Sequence, residues 1–347
     1  MPLHFHPHDD IQGTHWVSYG PPRIVQAKRA DTGDWHFGDM TLSEQELLSA
    51  LPKFSPKKLT EFTLTHDGWK SAKFKSFRPL IYFCAFHDPT ILECVCIAVN
   101  SLVTFGKWQY DIAILTSPDT VETLQESLSS LDVPGTLTII PVPNTHDKLD
   151  WCLSRYNFAL SDMFQHASPI LYCDADIVCD HPLDDILPLL VTSPFVHACP
   201  EGRLDEGSLQ SEGHWFGWRL LSGDNVPFDP FSRGFSSGIL GFADARSVQD
   251  VFPLIRQAAY GWMETFGGRE TLPSFDQRFA NYVLRKMNMS SLDIIPQKVS
   301  LFRIPPEGQP YPSVQQRRGI VHFLGASTVK KLASMQAYVS ALKERGV

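Results

Sequence analysis

The chain has 347 residues, of which 43% are hydrophobic and 12% are aromatic. This length and composition are sufficient for a packed core and allow either one large domain or two. The formal net charge is −8 and the pI is near 5.9, which argues against nucleic acid as a partner because neutralising a phosphate backbone needs a basic face. An acidic protein can still bind an anionic substrate when a metal ion supplies local positive charge.

The seven cysteines indicate reduced thiols rather than a disulfide framework or a zinc site. Their number is odd, each lies in an apolar-rich segment, and no two are spaced as CxxC. No run approaches the ~20 apolar residues of a membrane span, and residues 1–10 have neither the basic patch nor the apolar stretch of a signal peptide. We therefore expect a soluble, cytoplasmic protein. Its histidines at positions 4, 6, 8 and 15 are expected to lie in a solvated, poorly ordered terminus rather than at a metal site.

Residues 1–78 show little periodicity and are assigned to an N-terminal extension of uncertain structure. One local signal is clear, because Ser43 and Glu46 form the Ser-x-x-Glu pattern of a capping box, followed by Leu47, Leu48 and Leu51. In a capping box the two side chains satisfy backbone N–H groups that the first turn of a helix leaves free. The pattern predicts a short helix in this segment.

From residue 79 onward, apolar strands alternate with helices. The predicted strands are residues 80–85, 110–115, 137–142 and 169–178. The predicted helices begin at a capping box that starts at Thr90, at Ser117 followed by proline, and near residue 150, the last running to about residue 165. This alternation predicts an α/β fold with a mostly parallel sheet covered on both faces by helices. No glycine-rich phosphate loop follows the first strand, so phosphate must be held in another way.

After Cys199 the composition and the periodicity of the sequence change. Residues 200–235 are rich in glycine, proline and aromatic residues and lack a helical or strand period, which is typical of a functional or disordered loop. Five of its aromatic residues either stack on a sugar acceptor or form a small satellite core: Trp215, Phe216, Trp218, Phe228 and Phe231. Beyond it we predict a strand at 235–242, helices at 246–266 and 277–286, a strand at 320–323 and a helix at 329–345. Residues 79–330 are assigned to one domain and 331–347 to a C-terminal helix or tail.

Asp174 and Asp176 are the most informative pair in the chain. They end an apolar strand and lie two residues apart, so both project from one strand face where the sheet meets solvent. Two carboxylates this close repel each other, and a divalent cation removes that penalty. Their oxygen ligands suit Mg²⁺ or Mn²⁺, and open parallel sheets bind ligands at the carboxyl ends of their strands. The alternative is an ordinary solvated loop at the strand end.

Two further residues have both a functional and an ordinary interpretation. His322 lies between apolar neighbours, with Gly325 three residues on, and either completes a metal shell or is a satisfied core histidine. Asp276 directly precedes the helix predicted at 277–286, and a role as the N-cap of that helix would account for it without any catalysis.

The order of these motifs resembles glycosyltransferase family eight, which includes glycogenin and bacterial lipopolysaccharide galactosyl- and glucosyltransferases. The resemblance covers about residues 80–330. Six features carry it, in chain order: Cys84, Ala85 and the acidic turn at Asp88; Arg155, almost twenty residues before the acidic motif; Asp174, Ala175 and Asp176; Phe235, Ser237 and Gly238; Asp276, Gln277 and Asn281; and the His-Phe-x-Gly segment from His322 to Gly325.

The resemblance implies the GT-A fold, which has a Rossmann-like, mostly parallel central sheet flanked by helices and a small antiparallel element near the active site. It implies transfer of a hexose from a nucleotide-diphosphate sugar, usually a UDP-sugar, to a hydroxyl of a glycan, glycolipid or protein, with retention of the anomeric configuration. Asp174, Asp176 and His322 would bind Mn²⁺ or Mg²⁺, and Asp276 and Gln277 would be the catalytic residues beside the donor sugar. The other residues implied for the donor site are Cys84, Ala85, Asp88, Arg155, Ala175, Ser237, Gly238, Gly325 and Lys330.

Three positions depart from the family pattern. Ser236 replaces the asparagine that usually follows the phenylalanine, which alters one donor-sugar contact. His87 precedes Asp88 where two acidic residues are common. The Lys-Pro-Trp that usually follows the His-Phe-x-Gly segment has no counterpart, and Lys330 is the lysine assigned to the diphosphate in its place.

Two other functions are compatible with parts of the pattern. A haloacid-dehalogenase-like phosphatase also ends a strand with Asp-x-Asp and would use Asp174 as nucleophile, but its motif usually opens the domain and leaves the His-Phe-x-Gly segment unexplained. A catalytically inert transferase-like scaffold would bind a sugar or a protein without turnover.

The four basic residues of the predicted terminal helix allow only a weak contact with an anionic membrane surface.

Overall fold

The computed structural model describes residues 11–51, 60–66, 70–145, 147–205, 215–266, 275–305 and 317–346. The histidines at positions 4, 6 and 8 lie outside these residues. His15 begins a β-strand, so the prediction that it lies in a poorly ordered terminus is wrong. The described chain contains three β-sheets, and the central one carries the predicted site at the carboxyl end of its middle strand.

Residues 15–76 contain a six-stranded antiparallel sheet that the sequence analysis did not predict. Its strands are β1 (His15–Ser18), β2 (Arg23–Arg29), β3 (Trp35–Phe37), β4 (Met40–Leu42), β5 (Glu61–His66) and β6 (Lys70–Ser76). Their order is β4-β3-β2-β1-β6-β5. Its core is aromatic, and Trp16 meets Phe62 edge to face at 4.9 Å, a favourable arrangement of two rings.

The predicted short helix is present in this part of the chain as α1 (Glu44–Ala50). Ser43 Oγ accepts from the backbone N–H of Glu46 at 3.3 Å, and the Glu46 carboxylate accepts from that of Ser43 at 2.8 Å. The capping box is therefore confirmed. The six-stranded sheet is joined to the rest of the chain by an ion pair of Lys75 with Asp244 at 2.5 Å and by Val17, which packs in the core of the central sheet.

A seven-stranded mixed sheet forms the centre of the chain after residue 79. Its strands are β7 (Leu80–Cys84), β8 (Asp111–Thr116), β9 (Leu137–Pro141), β10 (Ile170–Asp174), β12 (Val196–Arg203), β13 (Arg233–Phe242) and β14 (Ser290–Ser291). The order is β14-β12-β13-β10-β7-β8-β9. β10, β7, β8 and β9 run parallel, whereas β13 is antiparallel to both of its neighbours. The predicted mostly parallel sheet is confirmed.

A smaller sheet lies beside the end of β10. It consists of β11 (Ile177–Cys179), β16 (Ile320–Leu324) and β15 (Val299–Arg303), in the order β11-β16-β15. β11 and β16 are antiparallel, and their pairing corresponds to the small antiparallel element that the family resemblance implies near the site.

Helices cover both faces of the central sheet. They are α2 (Pro89–Thr104), α3 (Val121–Leu128), α4 (Lys148–Ser154), α5 (Met163–His166), α6 (Leu187–Thr192), α7 (Trp218–Gly223), α8 (Ala245–Val248), α9 (Phe252–Phe266), α10 (Gln277–Lys286) and α11 (Thr328–Glu344). On β7, Ile81 and Phe83 enter the core shared with α2 and α11, whereas Leu80 and Tyr82 enter the core shared with α9 and α10. Successive side chains of a strand point to opposite faces, so burial of both faces explains the unbroken apolar strands.

Three predicted helix boundaries are wrong. The helix predicted to start at a capping box beginning at Thr90 starts one residue earlier, as α2 begins at Pro89 and proline is well suited to the first helical position. Its cap is Asp88, whose carboxylate accepts from the N–H of Thr90 at 2.9 Å. The helix predicted at 150–165 is interrupted by a 3-10 turn at Phe158–Leu160, where the Asn157 side chain accepts a backbone N–H at 3.3 Å and so competes with helix formation. The helix predicted at 246–266 is divided into α8 and α9, and Pro253 lies in the first turn of α9.

The strand predicted at 169–178 is divided as well. β10 ends at Asp174, and β11 begins at Ile177 in the smaller sheet. Ala175 and Asp176 form the connection between the two sheets. The division arises because β10 pairs with β7 and β13, whereas Ile177 is opposite His322 of β16.

All seven cysteines are free thiols, as expected. Within the described residues, no helix is both long enough and apolar enough to cross a bilayer. The assignment of residues 1–78, 79–330 and 331–347 to separate units stays a prediction, and α11 begins at Thr328, slightly before the last of these boundaries.

Candidate functional site

The two sheets bring Asp174, Asp176 and His322 together. Asp174 ends β10 opposite Cys84 of β7, and the pairing of Ile177 with His322 places the imidazole beside the connection that carries Asp176. His322 Nε2 lies 3.2 Å from Asp176 Oδ1 and 3.7 Å from Asp174 Oδ2. One ligand atom from each residue lies within 4.8 Å of the other two. This is the convergence that the sequence predicts.

Gly238 leaves open the space in which these side chains meet. A Cβ at this position would lie within 2.6 Å of Asp174 Oδ2 and closer still to His322 Cε1. The pairing of β12 with β13 shifts register between Ala198 and Cys199, beside this part of β13. Backbone alone therefore approaches the cluster on this side, which requires glycine at this position.

Polar atoms at the centre of the cluster have no hydrogen-bond partner in the described chain. These atoms are Asp176 Oδ1 and both ring nitrogens of His322, although the histidine is only 1% exposed. A buried polar atom without a partner carries a desolvation cost. Of these atoms, His322 Nε2 lies close to both Asp176 Oδ1 and Asp174 Oδ2, and a divalent cation fits as a partner for this set of oxygen and nitrogen atoms.

The charges around the cluster shift its titration. Burial by itself lowers the pKa of His322, but the Asp176 and Asp174 carboxylates outweigh that effect and raise it above the usual value of 6.5. Burial also opposes ionisation of Asp176, yet Lys331 and His322 hold the pKa of this carboxyl well below its usual range. Asp176 is therefore ionised at neutral pH.

Arg155 is a buried cation that connects the two predicted acidic elements. Its Nη2 lies 3.1 Å from Asp174 Oδ1, and its Nη1 lies 3.5 Å from Asp276 Oδ2 and donates to the carbonyl of Ser237 at 2.9 Å. The guanidinium also lies over the ring of Tyr172 at 4.4 Å. The two carboxylates raise the pKa of Arg155 further, although burial opposes this. The guanidinium is thus held rigidly beside the cluster.

Asp276 occupies the N-cap position of α10, but its side chain makes no capping hydrogen bond. Instead it points inward, where Tyr156 donates its hydroxyl proton to Oδ2 at 2.6 Å. Burial raises the pKa of Asp276, and Arg155 partly offsets this. The structural explanation that the sequence offers for Asp276 is therefore wrong, because its carboxylate does not cap the helix.

The first turns of α10 are tied to β13. Asn281 accepts from the N–H of Phe235 at 3.0 Å and donates to the carbonyl of the same residue at 2.8 Å. Gln277 accepts from the N–H of Ser237 at 3.3 Å. These bonds place the Gln277 amide beside the strand segment that faces the cluster.

Two connected cavities open from the cluster. The narrow cavity, of about 260 Å³, lies beyond the carboxyl end of β7, and its lining includes Cys84, Phe86, Trp151, Arg155, Asp174 and Asp176. The wide cavity, of about 530 Å³, lies on the side of β13, and its lining includes Glu201, Ser237, Gly238, Asp276, Gln277 and His322. Arg155, Asp174 and Lys331 line both cavities, so the predicted metal ligands lie at their junction.

The other residues implied by the family pattern have varied positions. Ala175 lines the narrow cavity, and Gly325 and Ser236 line the wide one. Ala85 is fully buried. Asp88 caps α2.

The sequence analysis assigned Lys330 to the diphosphate, but Lys331 is the lysine at the cluster. Lys331 Nζ forms an ion pair with Asp176 Oδ2, and Lys330 is exposed on the same helix. Adjacent residues of a helix point about 100° apart, so the register of α11 decides which lysine faces the site. No pattern in the sequence indicates which of the two lysines faces the site.

Two further site residues were not predicted. Tyr172 donates its hydroxyl proton to Asp174 Oδ1, and the strand period places it on the same face of β10 as Asp174. Glu201 lines the wide cavity and accepts from Gln277 Nε2 at 3.1 Å. Glu201 lies in the segment without periodicity, so nothing in the sequence marks it.

The five aromatic residues of this region divide into two groups. Phe216 is buried with Leu204 and Leu221, and Trp218 and Phe228 pack against them, which is the satellite core. Trp215 is 43% exposed and lines the wide cavity, and Phe231 is 71% exposed. The satellite core is therefore confirmed for Phe216, Trp218 and Phe228, whereas stacking of Trp215 or Phe231 on an acceptor stays a prediction.

Solved structures of glycosyltransferases are similar to most of this chain at low sequence identity. The apo bifunctional glycosyltransferase WbbM aligns over 76% of this chain and 51% of its own, with 12% identity and a TM-score of 0.49, so this chain spans about half of WbbM. Mouse xyloside xylosyltransferase 1 aligns over 71% and 97% of the two chains, with 12% identity and a TM-score of 0.46. The galactosyltransferase LgtC, in complex with donor and acceptor sugar analogues, aligns over 77% and 95%, with 11% identity and a TM-score of 0.47.

No family model and no curated protein sequence matches the chain. These three structures are all described as glycosyltransferases. Identities of 11% and 12% carry no functional information about this chain, so its chemistry has to be argued from its own side chains.

Proposed function

We propose that this chain is a metal-dependent glycosyltransferase that moves a hexose from a nucleotide-diphosphate sugar, UDP-linked, to a hydroxyl of a glycan, glycolipid or protein. One observation carries the proposal. Asp174, Asp176 and His322 converge at the end of β10, where one ligand atom from each lies within 4.8 Å of the other two and two cavities meet. Retention of the anomeric configuration is part of the proposal through the family resemblance.

The ligand set fits Mn²⁺ or Mg²⁺. Two carboxylates supply hard oxygen ligands, and the single imidazole favours Mn²⁺, since Mg²⁺ seldom takes nitrogen from a protein. Tyr172 and Arg155 engage Asp174 Oδ1, while Oδ2 faces His322. When bound, such a cation acts as a Lewis acid that stabilises charge on the departing diphosphate.

Two cations of the chain would bind the diphosphate itself. Arg155 and Lys331 line both cavities, and each has a pKa raised by the acidic groups beside it, against the effect of burial. Both therefore stay protonated over the whole physiological range. Fixed positive charge in a partly desolvated site stabilises a leaving group that gains negative charge.

The two cavities suit the two parts of a nucleotide sugar. In the narrow cavity Trp151 lies nearly parallel to Phe86, with ring centroids 6.3 Å apart, and an aromatic wall of this kind suits a nucleobase. In the wide cavity Asp276 and Gln277 offer a carboxylate and an amide to the sugar hydroxyls. We propose these two as the residues nearest the reacting carbon.

The phosphatase alternative is weakened by the state of Asp176. A phosphatase that uses Asp174 as nucleophile needs the second aspartate to donate a proton to the leaving group. Lys331 and His322 hold the pKa of Asp176 well below its usual range, so this carboxyl carries no proton to donate at neutral pH. The inert scaffold is separated from an enzyme only by turnover.

The decisive experiment is donor hydrolysis with a panel of nucleotide sugars in Mn²⁺, Mg²⁺ or a chelator. We expect release of nucleoside diphosphate from at least one donor with the metal, and none with the chelator. Asp176→Asn should abolish turnover, whereas Asp185→Asn, at an exposed carboxylate paired with Lys298, should leave it unchanged. Phosphate release from simple monoesters would support the phosphatase instead, and metal-dependent nucleotide binding without turnover would support the scaffold.

We also place the reaction in the cytoplasm. The seven free thiols support this location, because reduced cysteines persist in reducing compartments.

A further inference from the structure

Glu201 reaches the wide cavity because β12 is irregular at this point. Pro200 is opposite Phe235 and Arg203 is opposite Arg233, so three steps along β12 match two steps along β13. One extra residue is therefore inserted in β12, as in a β-bulge, and bulges re-aim side chains near active sites. The Glu201 side chain is 15% exposed and lines the cavity together with Gln277.

The Gln277 side-chain amide is held at both ends. Gln277 Nε2 donates to Glu201 Oε2 at 3.1 Å, and Gln277 Oε1 accepts from the backbone N–H of Ser237 at 3.3 Å. Arg303 approaches the other oxygen of Glu201 at 3.7 Å, and 73% of the Arg303 side chain is exposed. The carboxylate thus lies between an exposed surface cation and the amide.

These two partners admit only one orientation of the amide. An ionised carboxylate only accepts hydrogen bonds, and a backbone N–H only donates. A Gln277 side chain rotated by 180° would place its carbonyl oxygen against the carboxylate and its NH₂ against the N–H of Ser237. Both contacts would be repulsive, so Glu201 and Ser237 together determine where the carbonyl oxygen lies.

The carboxylate also affects the charge of the amide. A hydrogen bond from Nε2 to an anion polarises the amide and increases the negative charge on Oε1. The reacting carbon of a glycosyl donor gains positive charge in the transition state. A fixed, electron-rich amide oxygen beside that carbon would stabilise this charge more than a freely rotating amide would.

We propose that Glu201 is a positioning residue for glycosyl transfer and acts through the Gln277 amide. The inference rests on the proposed function, since it concerns the chemical step of that reaction. It adds a residue that neither the motif order nor the spacing marks. Glu201 is expected to affect turnover of the bound donor rather than the binding of the donor.

The test is a double-mutant cycle measured with a donor that the wild-type protein hydrolyses. Glu201→Ala and Gln277→Ala are each expected to lower kcat for donor hydrolysis about 100-fold, with the donor Kd changed less than about 3-fold. If Glu201 acts through Gln277, the double variant falls no further than Gln277→Ala alone. Glu201→Gln keeps an acceptor oxygen without the charge and should lose only about 10-fold.

The matched control is Glu264→Gln, which makes the same chemical change at an exposed carboxylate of α9 and should leave kcat unchanged. A double variant whose losses multiply to about 10⁴-fold would overturn the inference, because independent effects multiply. So would a Glu201→Ala variant that weakens donor binding at unchanged kcat. If the wild-type protein hydrolyses no donor, the proposed function itself fails, and the inference with it.

Discussion

Asp176 and Asp180 lie at opposite ends of β11, and their surroundings differ. Asp180 Oδ1 accepts from the backbone N–H groups of Gly319 at 2.9 Å and Arg318 at 3.2 Å, and Oδ2 accepts from the Tyr338 hydroxyl at 2.7 Å. Burial raises the pKa of Asp180, partly offset by these donors. This carboxylate holds the start of β16 and the helix α11 in place, and both of its oxygens accept hydrogen bonds from within the chain.

Asp176 is only partly satisfied within the chain. Its Oδ2 forms an ion pair with Lys331, whereas its Oδ1 lies 3.2 Å from His322 Nε2 and neither of these two atoms has a hydrogen-bond partner in the described chain. Fully satisfied buried carboxylates stabilise a fold, whereas atoms left unpaired beside another ligand are held for something outside the chain. The difference distinguishes Asp180, a structural aspartate, from Asp176, the proposed metal ligand four residues before it.

Gly238→Ala should give the largest effect, because its Cβ would fill the space shared by Asp174 and His322. We expect Mn²⁺ affinity, measured by calorimetric titration, to fall at least about 100-fold. The control is Gly261→Ala on α9, where a Cβ meets nothing within 4 Å and alanine favours the helix. Wild-type affinity in Gly238→Ala would show that the cluster does not bind the cation.

Tyr172→Phe removes the hydroxyl that donates to Asp174 and should affect the proposed metal ligands without affecting Asp180 and its partners. Loss of such an outer partner typically lowers metal affinity 10–100-fold. We expect this loss in the same Mn²⁺ titration, with a circular dichroism spectrum like that of the wild type. An unchanged affinity would mean that the hydroxyl does not orient Asp174 for the metal.

Tyr338→Phe is the matching change at the structural aspartate, since it removes the hydroxyl that donates to Asp180. A hydrogen bond to a charged group contributes roughly 1.5–3 kcal/mol. We expect urea denaturation to show a loss of about 2 kcal/mol in the free energy of unfolding, with Mn²⁺ affinity unchanged. The contrast between the two ends fails if this variant weakens metal binding as much as Tyr172→Phe does.

The smallest expected effect is on the pH dependence of stability in a chelating buffer. The folded-state pKa of His322 lies above its unfolded value of 6.5, so its stabilising contribution is complete below pH 6.5 and is lost as pH rises through the folded pKa. The difference in unfolding free energy between wild type and His322→Asn should therefore shrink as pH rises above 6.5.

A second buried histidine provides the control for that measurement. Burial lowers the pKa of His197 to about 4, so this residue is neutral in both the folded and the unfolded state well above pH 6.5. The difference between wild type and His197→Asn should be flat above about pH 7.5. A slope for His197→Asn equal to that for His322→Asn would contradict the assignment to the carboxylates of the cluster.

The sequence by itself determined the elements whose signals are local. α10 has the predicted bounds of 277–286, and the capping box at Ser43 starts α1 as expected. The buried strands β7 and β10 are apolar on both faces, and an acidic pair at the end of such a strand can be recognised without knowing its neighbours. For His322, local reasoning left both a metal ligand and a core histidine open, and the family resemblance favoured the ligand.

Only the tertiary structure decided which residues meet at the site. The break at Ala175, the choice of Lys331 over Lys330, and the turning of Glu201 toward Gln277 each depend on pairing with distant strands or helices. The six-stranded sheet also escaped prediction, since its short strands are mostly half-exposed and are stabilised by cross-strand contacts. Local patterns report which face of an element is buried, whereas register between elements decides which polar atoms lie within bonding distance.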